Sequence, residues 1–549
     1  MLRRWTTFAA IWLTTAVGTS TLGQTTISSE KLAVKLSPTG IDSISLNGKQ
    51  ITSAGGMSFY DDQWVPQTPG TLASPKSPTS AKAEGEADHA TIDQTFDNLH
   101  VLWTYRVSGY DLSADIAVTN TGNQPFDRFF FRLPQFHFSR RPSGTMSCAY
   151  GSYYTKDWTA IAHPSTRVPL AVSDAYDDSF AIAIHCKSHF DRSVLVNSNW
   201  DHNVIPIDCA PVVYVDQTVA PQSTVHVLLN IRITDKLDLA DRVGAYVDDF
   251  KKWAGPMRYE PDDRPVVCCY PESTSWITKT NPLGLSRRFD YLGGVLDYER
   301  LISPMVPYCQ GPMMWQPQGA AIRGVEFRPD FDVWPPNIRQ NLPILMSWCS
   351  NHGMRPGLQA RPLDIVTPLN FTSDTSITLC PEEPSQVKMI ETRFTNTIAL
   401  GAKEFYLDSF GMDLPSYRLM QKLREKIGPN IPTYSEYTSD LMLPISGVYI
   451  QQMNAQGDTR WFGVEQVKVM RLLYPDSSFI CTSELPDDPT TGAPALSWDD
   501  YAKLKYSPDI TDNDAAKVAV GLKEMRAKYY DGNVWGKAAG SGMVATTQP

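Results

Sequence analysis

Three carboxylates in the C-terminal half of the chain stand where apolar runs end. Asp408 closes the run in "EFYLDSFGMD" (404–413), with Asp413 five residues on. Glu436 lies in "TYSEYTSD" (433–440), followed by Asp440, and Glu484 lies in "CTSEL" (481–485). A carboxylate that follows a buried run is costly unless it is hydrogen-bonded or wet, so each one either caps the next segment or does chemistry. Of nine histidines only His352 lies in this half, which argues against His-based metal sites and Ser-His-Asp triads there. Two acids at one site, without metal or histidine, suit cleavage of a glycosidic bond. One attacks the anomeric carbon as a carboxylate, and the other gives a proton to the departing oxygen.

Such a pair needs a scaffold that sets its spacing. From residue 264 onward, short apolar runs alternate with helical patterns, as expected for βα units around a parallel sheet. Candidate strands fall at 265–270, 305–310, 355–360, 404–409, 432–437, 447–452 and 477–482. Candidate helices fall at 384–400, 416–427 and 512–527, the second closed by Gly428. This pattern predicts a (β/α)8 barrel over 264–535, with the eighth strand unplaced. Active sites of such barrels lie at the C-terminal ends of the strands. Neighbouring strands run about 4.8 Å apart, so acids ending strands four and five can approach the ~5–5.5 Å separation of retaining glycosidases. Trp315, Tyr406, Tyr434, Tyr437 and Tyr449 offer rings for sugar faces, against the plainer alternative that they are core. Gln359, Arg361 and Gln451, with Gln316 and Gln452, offer partners for hydroxyls.

The N-terminal half reads differently. Alternating or continuous apolar runs at 100–109, 111–120, 179–186 and 224–234, separated by Gly, Asn and Pro turns, predict an antiparallel β-sandwich over 24–236. The Pro/Ser/Ala/Thr-rich stretch 65–88 reads as a long loop within it. Residues 238–253 place Leu239, Val243, Val247 and Phe250 at helical spacing, which predicts a connector helix inside a linker spanning 237–263. At the start, Arg3 and Arg4 precede an apolar stretch from Trp5 to Val17 and small residues to Gly23, the pattern of a cleaved export signal over 1–23. No later stretch has the ~18 apolar residues of a membrane span. The small, polar segment 536–549 reads as a flexible tail. Nine cysteines without a Cys-x-x-Cys make neither a disulfide scaffold nor a zinc site. A balance of 49 basic to 59 acidic residues, net −10, argues against a dedicated nucleic-acid binder. No metal or cofactor is expected.

Sandwich, connector helix and barrel with an Asp closing strand four together resemble the retaining α-glycoside hydrolases of the melibiase-type α-galactosidase and endo-α-N-acetylgalactosaminidase superfamily. "HGMRPGLQARP" (352–362) resembles their third-strand segment and "KEFYLDSFG" (403–411) their nucleophile strand. The resemblance implies Asp408 as nucleophile. The galactosidases carry their acid/base on a later strand, where this chain has "YIQQMN" (449–454) without a carboxylate; the endo-acting relatives carry a Glu soon after the nucleophile strand, which Glu436 matches. The expected activity is an exported, periplasmic or secreted retaining hydrolase of α-linked, galacto-configured sugars in a polysaccharide or glycan. Its substrate-binding residues would be Trp315, Gln359, Arg361, Tyr406, Asp413, Asp440 and Gln451. Two alternatives stay open: a β-glycosidase with Glu484 as nucleophile, and a non-catalytic carbohydrate-binding protein, which the unusual Gln359 and Arg361 motivate.

Overall fold

The computed structural model describes residues 23–52, 58–61, 77–138, 147–148, 170–172, 180–187, 194–200, 207–262, 264, 266–269, 278–281, 287–314, 334–362, 364–366, 376–411, 414–450, 464–481 and 519. Two hydrophobic cores organise them, one before the connector helix and one after it.

The first core lies between antiparallel sheets. Leu99–Ser108 and Asp111–Asn120 form a hairpin whose burial alternates residue by residue, the period a half-buried strand requires. Gly109, at φ +54°, opens its two-residue turn, where a positive φ matches the twist of the flanking strands. The hairpin sits within an eight-stranded sheet that faces a five-stranded one. Trp103 of the larger sheet meets Phe131 of the smaller edge-on at 5.0 Å, and its indole N–H is satisfied by Gln94 at 2.9 Å. A four-stranded sheet, Thr25 to Gln50, contributes Val34, Leu36 and Ile44 to the same core. The expected loop at 65–88 is corrected in part: Ser80–Glu86 is a strand, paired with His89–Thr95 at the sheet's edge. It buries only Ala83, so its polar composition, usual for an edge, hid it.

The connector helix α1 (Leu239–Ala254) starts at Asp238, whose side chain accepts from the Asp241 N–H, and ends at Gly255. It buries Val243, Tyr246, Val247 and Phe250, which contribute at most about 1.5–3 kcal/mol each through burial. One hydrogen bond to a charged group contributes about 1.5–3 kcal/mol, so packing holds this helix in place and its polar contacts set its register.

Beyond it, seven strands pair in parallel, in chain order: β1 (Val266–Cys269), β2 (Gly311–Met314), β3 (Gly357–Ala360), β4 (Glu404–Leu407), β5 (Thr433–Ser435), β6 (Gly447–Ile450) and β7 (Phe479–Cys481). Helices α2 (Asp297–Ile302), α3 (Pro336–Asn351), α4 (Pro384–Ala399), α5 (Leu414–Ile427) and α6 (Val464–Leu473) fall between them. This is a parallel half-barrel sheet; the eighth strand expected from the sequence, the helix expected at 512–527 and the tail 536–549 lie outside the described residues, Ala519 excepted. The expected second strand at 305–310 is a turn instead. Tyr308 and Cys309 both donate back to the Met305 carbonyl, and the strand begins at Gly311. Pro304 and Pro307 explain the shift, since proline breaks a ladder.

Inside the barrel, Gln359, Tyr406, Tyr434 and Gly447 occupy one register layer, while Phe405 points outward onto Phe394 of α4 at 4.6 Å. Glu404 lies one turn of the pleat below Tyr406. It is 0% exposed, and neither of its oxygens has a hydrogen-bond partner among the described residues. Burial, then the charge of Asp262, pushes its carboxyl well above the usual range, against the pull of Arg355 and Arg264. A buried acid with a raised value favours the fold fully below its unfolded value of about 4.3 and loses that contribution as pH climbs toward its folded value. Glu404→Gln is therefore expected to gain stability over wild type at pH 8 relative to pH 5, by up to about 1.4 kcal/mol per unit crossed. Urea midpoints at the two pH values check this; an equal difference at both would contradict a protonated Glu404.

Candidate active site

Asp408 and Glu436 each sit one residue past the end of a barrel strand, and each continues the sheet ladder. The Asp408 N–H donates to the Ala360 carbonyl at 2.9 Å, and the Glu436 N–H to Leu407 at 3.1 Å. The alternation that turns Phe405 and Leu407 outward carries Tyr406 and Asp408 inward, and β5 turns Tyr434 and Glu436 the same way. The Asp408 carboxyl lies near enough for its charge to act on Glu436. Both are nearly buried, at 7% and 5% exposed.

Their surroundings differ, and the difference assigns the proton. Asp408 accepts from the Arg361 Nε on Oδ2 and from the Tyr406 hydroxyl, 3.1 Å away, on Oδ1. These contacts present one cation and one neutral donor to a carboxylate. Tyr406 stays protonated, since burial and then the nearby Asp408 and Glu436 charges push its phenol well above 10. Glu436 has no cation beside it in the contacts described. Burial first, then the charge of Asp408, pushes its carboxyl up to about 8, with the Ser409 N–H and Tyr406 pulling the other way. Glu436 is therefore the member of the pair whose protonated form its surroundings favour.

A strained turn aims the two groups. Ser409 has φ +52°, a conformation most residues avoid, and its N–H points at Glu436 Oε2 at 2.8 Å. Gly411, at φ +113°, passes so close to β5 that an added Cβ would lie 2.7 Å from the Ser435 Cβ. Below, Arg424 of α5 spans the connection into β5 and out to β6. It donates to the carbonyls of Gly428, Ile431 and Ile445 and to the Thr433 hydroxyl, all at 2.8–3.0 Å.

The remaining expected residues divide three ways. Arg361 and Tyr406 join the site through Asp408. Gln359 lies one layer deeper, 1% exposed, and neither end of its amide finds a partner among the described residues. Asp440 is wholly buried and faces away from the barrel mouth, accepting from Tyr246 of α1 at 2.7 Å. The expected rings Tyr434 and Tyr449 are barrel core: Tyr434 donates to Gln310, and Tyr449 packs on Tyr406 at 4.0 Å between centroids. Trp315, Asp413, Gln451 and Glu484 lie outside the described residues. Sequence reasoning missed Ser409 and Tyr246. Nothing local marked either, although a serine directly after a strand-end acid is the kind of position where strain is stored. Among the described residues, no cluster of His, Cys, Asp and Glu could hold a metal ion, and no helix is long and apolar enough to cross a membrane.

An antiparallel sandwich, a connecting helix and a parallel α/β sheet with two carboxyls at its strand ends make up the described architecture. No family model and no curated protein matches the chain. Solved structures do. The chain is similar to the α-N-acetylgalactosaminidase NagBb from Bifidobacterium bifidum in its GalNAc complex, with a TM-score of 0.58 at 14% identity over 92% of this chain and 93% of that one. The ligand-free form of the same enzyme gives 0.58 at 13% identity, over 91% and 93%. At such identity the likeness shows a shared fold along nearly the whole of both chains.

The turn makes a stability prediction. Gly411→Ala adds a Cβ in a conformation alanine avoids and against Ser435, and is expected to cost roughly 1–3 kcal/mol. Ser409→Gly removes a comparable strain and is expected to leave stability equal or higher. Thermal denaturation of both variants checks the pair; a tolerated Gly411→Ala would contradict the close approach.

Proposed function

We propose that the protein is an exported, retaining glycoside hydrolase that cleaves α-linked, galacto-configured sugars from a polysaccharide or glycan. The carrying observation is the Asp408–Glu436 pair, two nearly buried carboxyls each one residue past the end of neighbouring strands. An α-N-acetylgalactosaminidase of the same fold, solved with GalNAc bound, supports the sugar class. Export rests on the sequence pattern of residues 1–23.

As the sugar enters, one oxygen of Asp408 must shed its donor. Arg361, with 28% of its side chain exposed, has room to turn toward a sugar hydroxyl, whereas Tyr406 is locked in the core. Asp408 then attacks the anomeric carbon, the C–O bond to the leaving group breaks, and Glu436 delivers its proton to the departing oxygen. A covalent glycosyl–Asp408 ester remains. Glu436, now ionised, takes a proton from water as that water attacks the same carbon, releasing the sugar and restoring both carboxyls. Retention is favoured because acids ending adjacent paired strands, about 4.8 Å apart, suit a ~5–5.5 Å separation better than the ~6.5–9.5 Å that inversion needs. The unengaged Gln359 amide offers a donor and an acceptor to the sugar. A non-catalytic carbohydrate-binding protein is the second reading, favoured by the ion pair that Arg361 makes with the attacking group; it predicts binding without turnover.

Asp408→Asn is expected to abolish release from aryl α-galactosides and α-N-acetylgalactosaminides while leaving the fold intact. Glu436→Gln is expected to lose about 10²–10⁴-fold on poor leaving groups and much less on dinitrophenyl glycosides, which depart without a proton. Because the acid form of Glu436 is the working form, kcat/KM should fall as pH rises through about 8. An alkaline limb near 4–5, the ordinary carboxyl range, would contradict the raised Glu436 value.

A further inference from the structure

Strands β1 to β4 and β6 are each followed by a helix, but β5 is not. Residues 436–446 join β5 to β6 with only a 3-10 turn, Asp440–Met442. The connector helix α1 stands in the gap. Its Trp253 lies 6.3 Å from Tyr417 of α5, and its Phe250 lies 6.4 Å from Tyr474, just past α6. Shortly after the helix, the Arg258 N–H donates to the Pro444 carbonyl at 2.8 Å. The opposite side of α1 is held by the sandwich. His185 Nε2 lies 3.0 Å from Asp249, and the Arg232 Nε donates to the Asp241 carbonyl at 2.7 Å. A helix from between the two halves thus occupies a barrel-helix position.

One side-chain contact reaches from α1 into the β5–β6 connection. The Tyr246 hydroxyl donates to Asp440 Oδ2 at 2.7 Å, while Oδ1 accepts from the Leu441 N–H at 2.9 Å. Asp440 is 0% exposed and stands four residues after Glu436. The chain between them is stitched to the turn that follows the nucleophile: Tyr437 N–H to Phe410 carbonyl at 3.1 Å, Ser439 N–H to Gly411 carbonyl at 3.0 Å. The segment bearing Glu436 is therefore fixed at its start by β5, along its length by the Asp408–Gly411 turn, and at its far end by α1.

We infer that Tyr246 is a positioning residue for Glu436: through Asp440 it anchors the segment that aims the acid/base, and so gives the sandwich a role in catalysis. The inference rests on Glu436 being the acid/base. Phenylalanine would fill the same space in the helix interface, so that substitution removes the hydroxyl's bond to Asp440 and leaves the packing. Without it, a buried carboxylate loses a donor and the connection gains a reason to open toward water.

Tyr246→Phe tests this against Val243→Ala, which thins the same helix but leaves the hydroxyl. On an aryl α-glycoside that the wild type cleaves, Tyr246→Phe is expected to lower kcat by about 10–10²-fold, the scale of a small misplacement. KM should change little, and the alkaline limb of the pH profile should move. Hydrogen–deuterium exchange across 436–446 should rise. Val243→Ala is expected to lower the melting temperature while leaving kcat and the limb in place. Equal kcat losses in both variants, or unchanged exchange and an unmoved limb in Tyr246→Phe, would overturn the inference. If the wild type cleaves no glycoside, the proposed function falls by itself, and exchange across 436–446 then decides whether Tyr246 anchors the segment.

Discussion

Two nearly buried carboxyl groups on neighbouring strand ends cannot both be ionised cheaply, and the surroundings of Asp408 and Glu436 are organised around that constraint. The donors at Asp408 favour negative charge there, while burial and the neighbouring Asp408 outweigh what favours charge on Glu436. Arg361 and Tyr406 supply donors to the first. Desolvation and the neighbouring charge keep the proton on the second, opposed only in part by the Ser409 N–H. The asymmetry comes from strand geometry. Side chains alternate across a strand, so the Tyr406 that supports Asp408 is two residues before it on the same face, and Arg361 reaches Asp408 from the end of the adjacent strand.

The surrounding fold holds that geometry from three directions. Register brings the ends of β4 and β5 level. Arg424 ties the connections on either side of β5 together with charge-assisted hydrogen bonds, in a place where burial alone would disfavour its cation. The third direction is α1, which takes the place of the missing barrel helix. Polar strain is stored close by, in Ser409, where the backbone aims at the acid instead of relaxing.

How much of this was legible in the sequence follows the range of each interaction. Asp408, Glu436 and the strands that carry them stood out because a short apolar run ending in an acid is a local signal. The helix at 239–254 was readable from its spacing, since Val243, Val247 and Phe250 are indeed buried. Where it would dock was not, because Tyr246 and Asp440 are 194 residues apart. The same limit made Asp440 look like a substrate ligand and Tyr434 and Tyr449 look like sugar platforms. Composition marks a residue as able to stack or bind, and only register shows that it faces the core. Glu404 is the opposite case. It heads an apolar run, and the inward alternation of β4 buries it with no hydrogen-bond partner among the described residues and its carboxyl pushed well above the usual range. The strand misplaced at 305–310 shows a further limit, because apolar content outweighed two prolines in a turn.

The account stands or falls on Asp408 forming a bond to sugar. The most direct measurement is peptide mass spectrometry after incubation with a fluorinated, activated α-galactoside or α-N-acetylgalactosaminide, in which the covalent intermediate forms faster than it is hydrolysed. The account predicts a single glycosyl adduct on the peptide spanning 403–411, on Asp408, and none in Asp408→Asn. An adduct on another carboxylate, Glu484 included, or turnover of the natural linkage with no adduct at all, would contradict it.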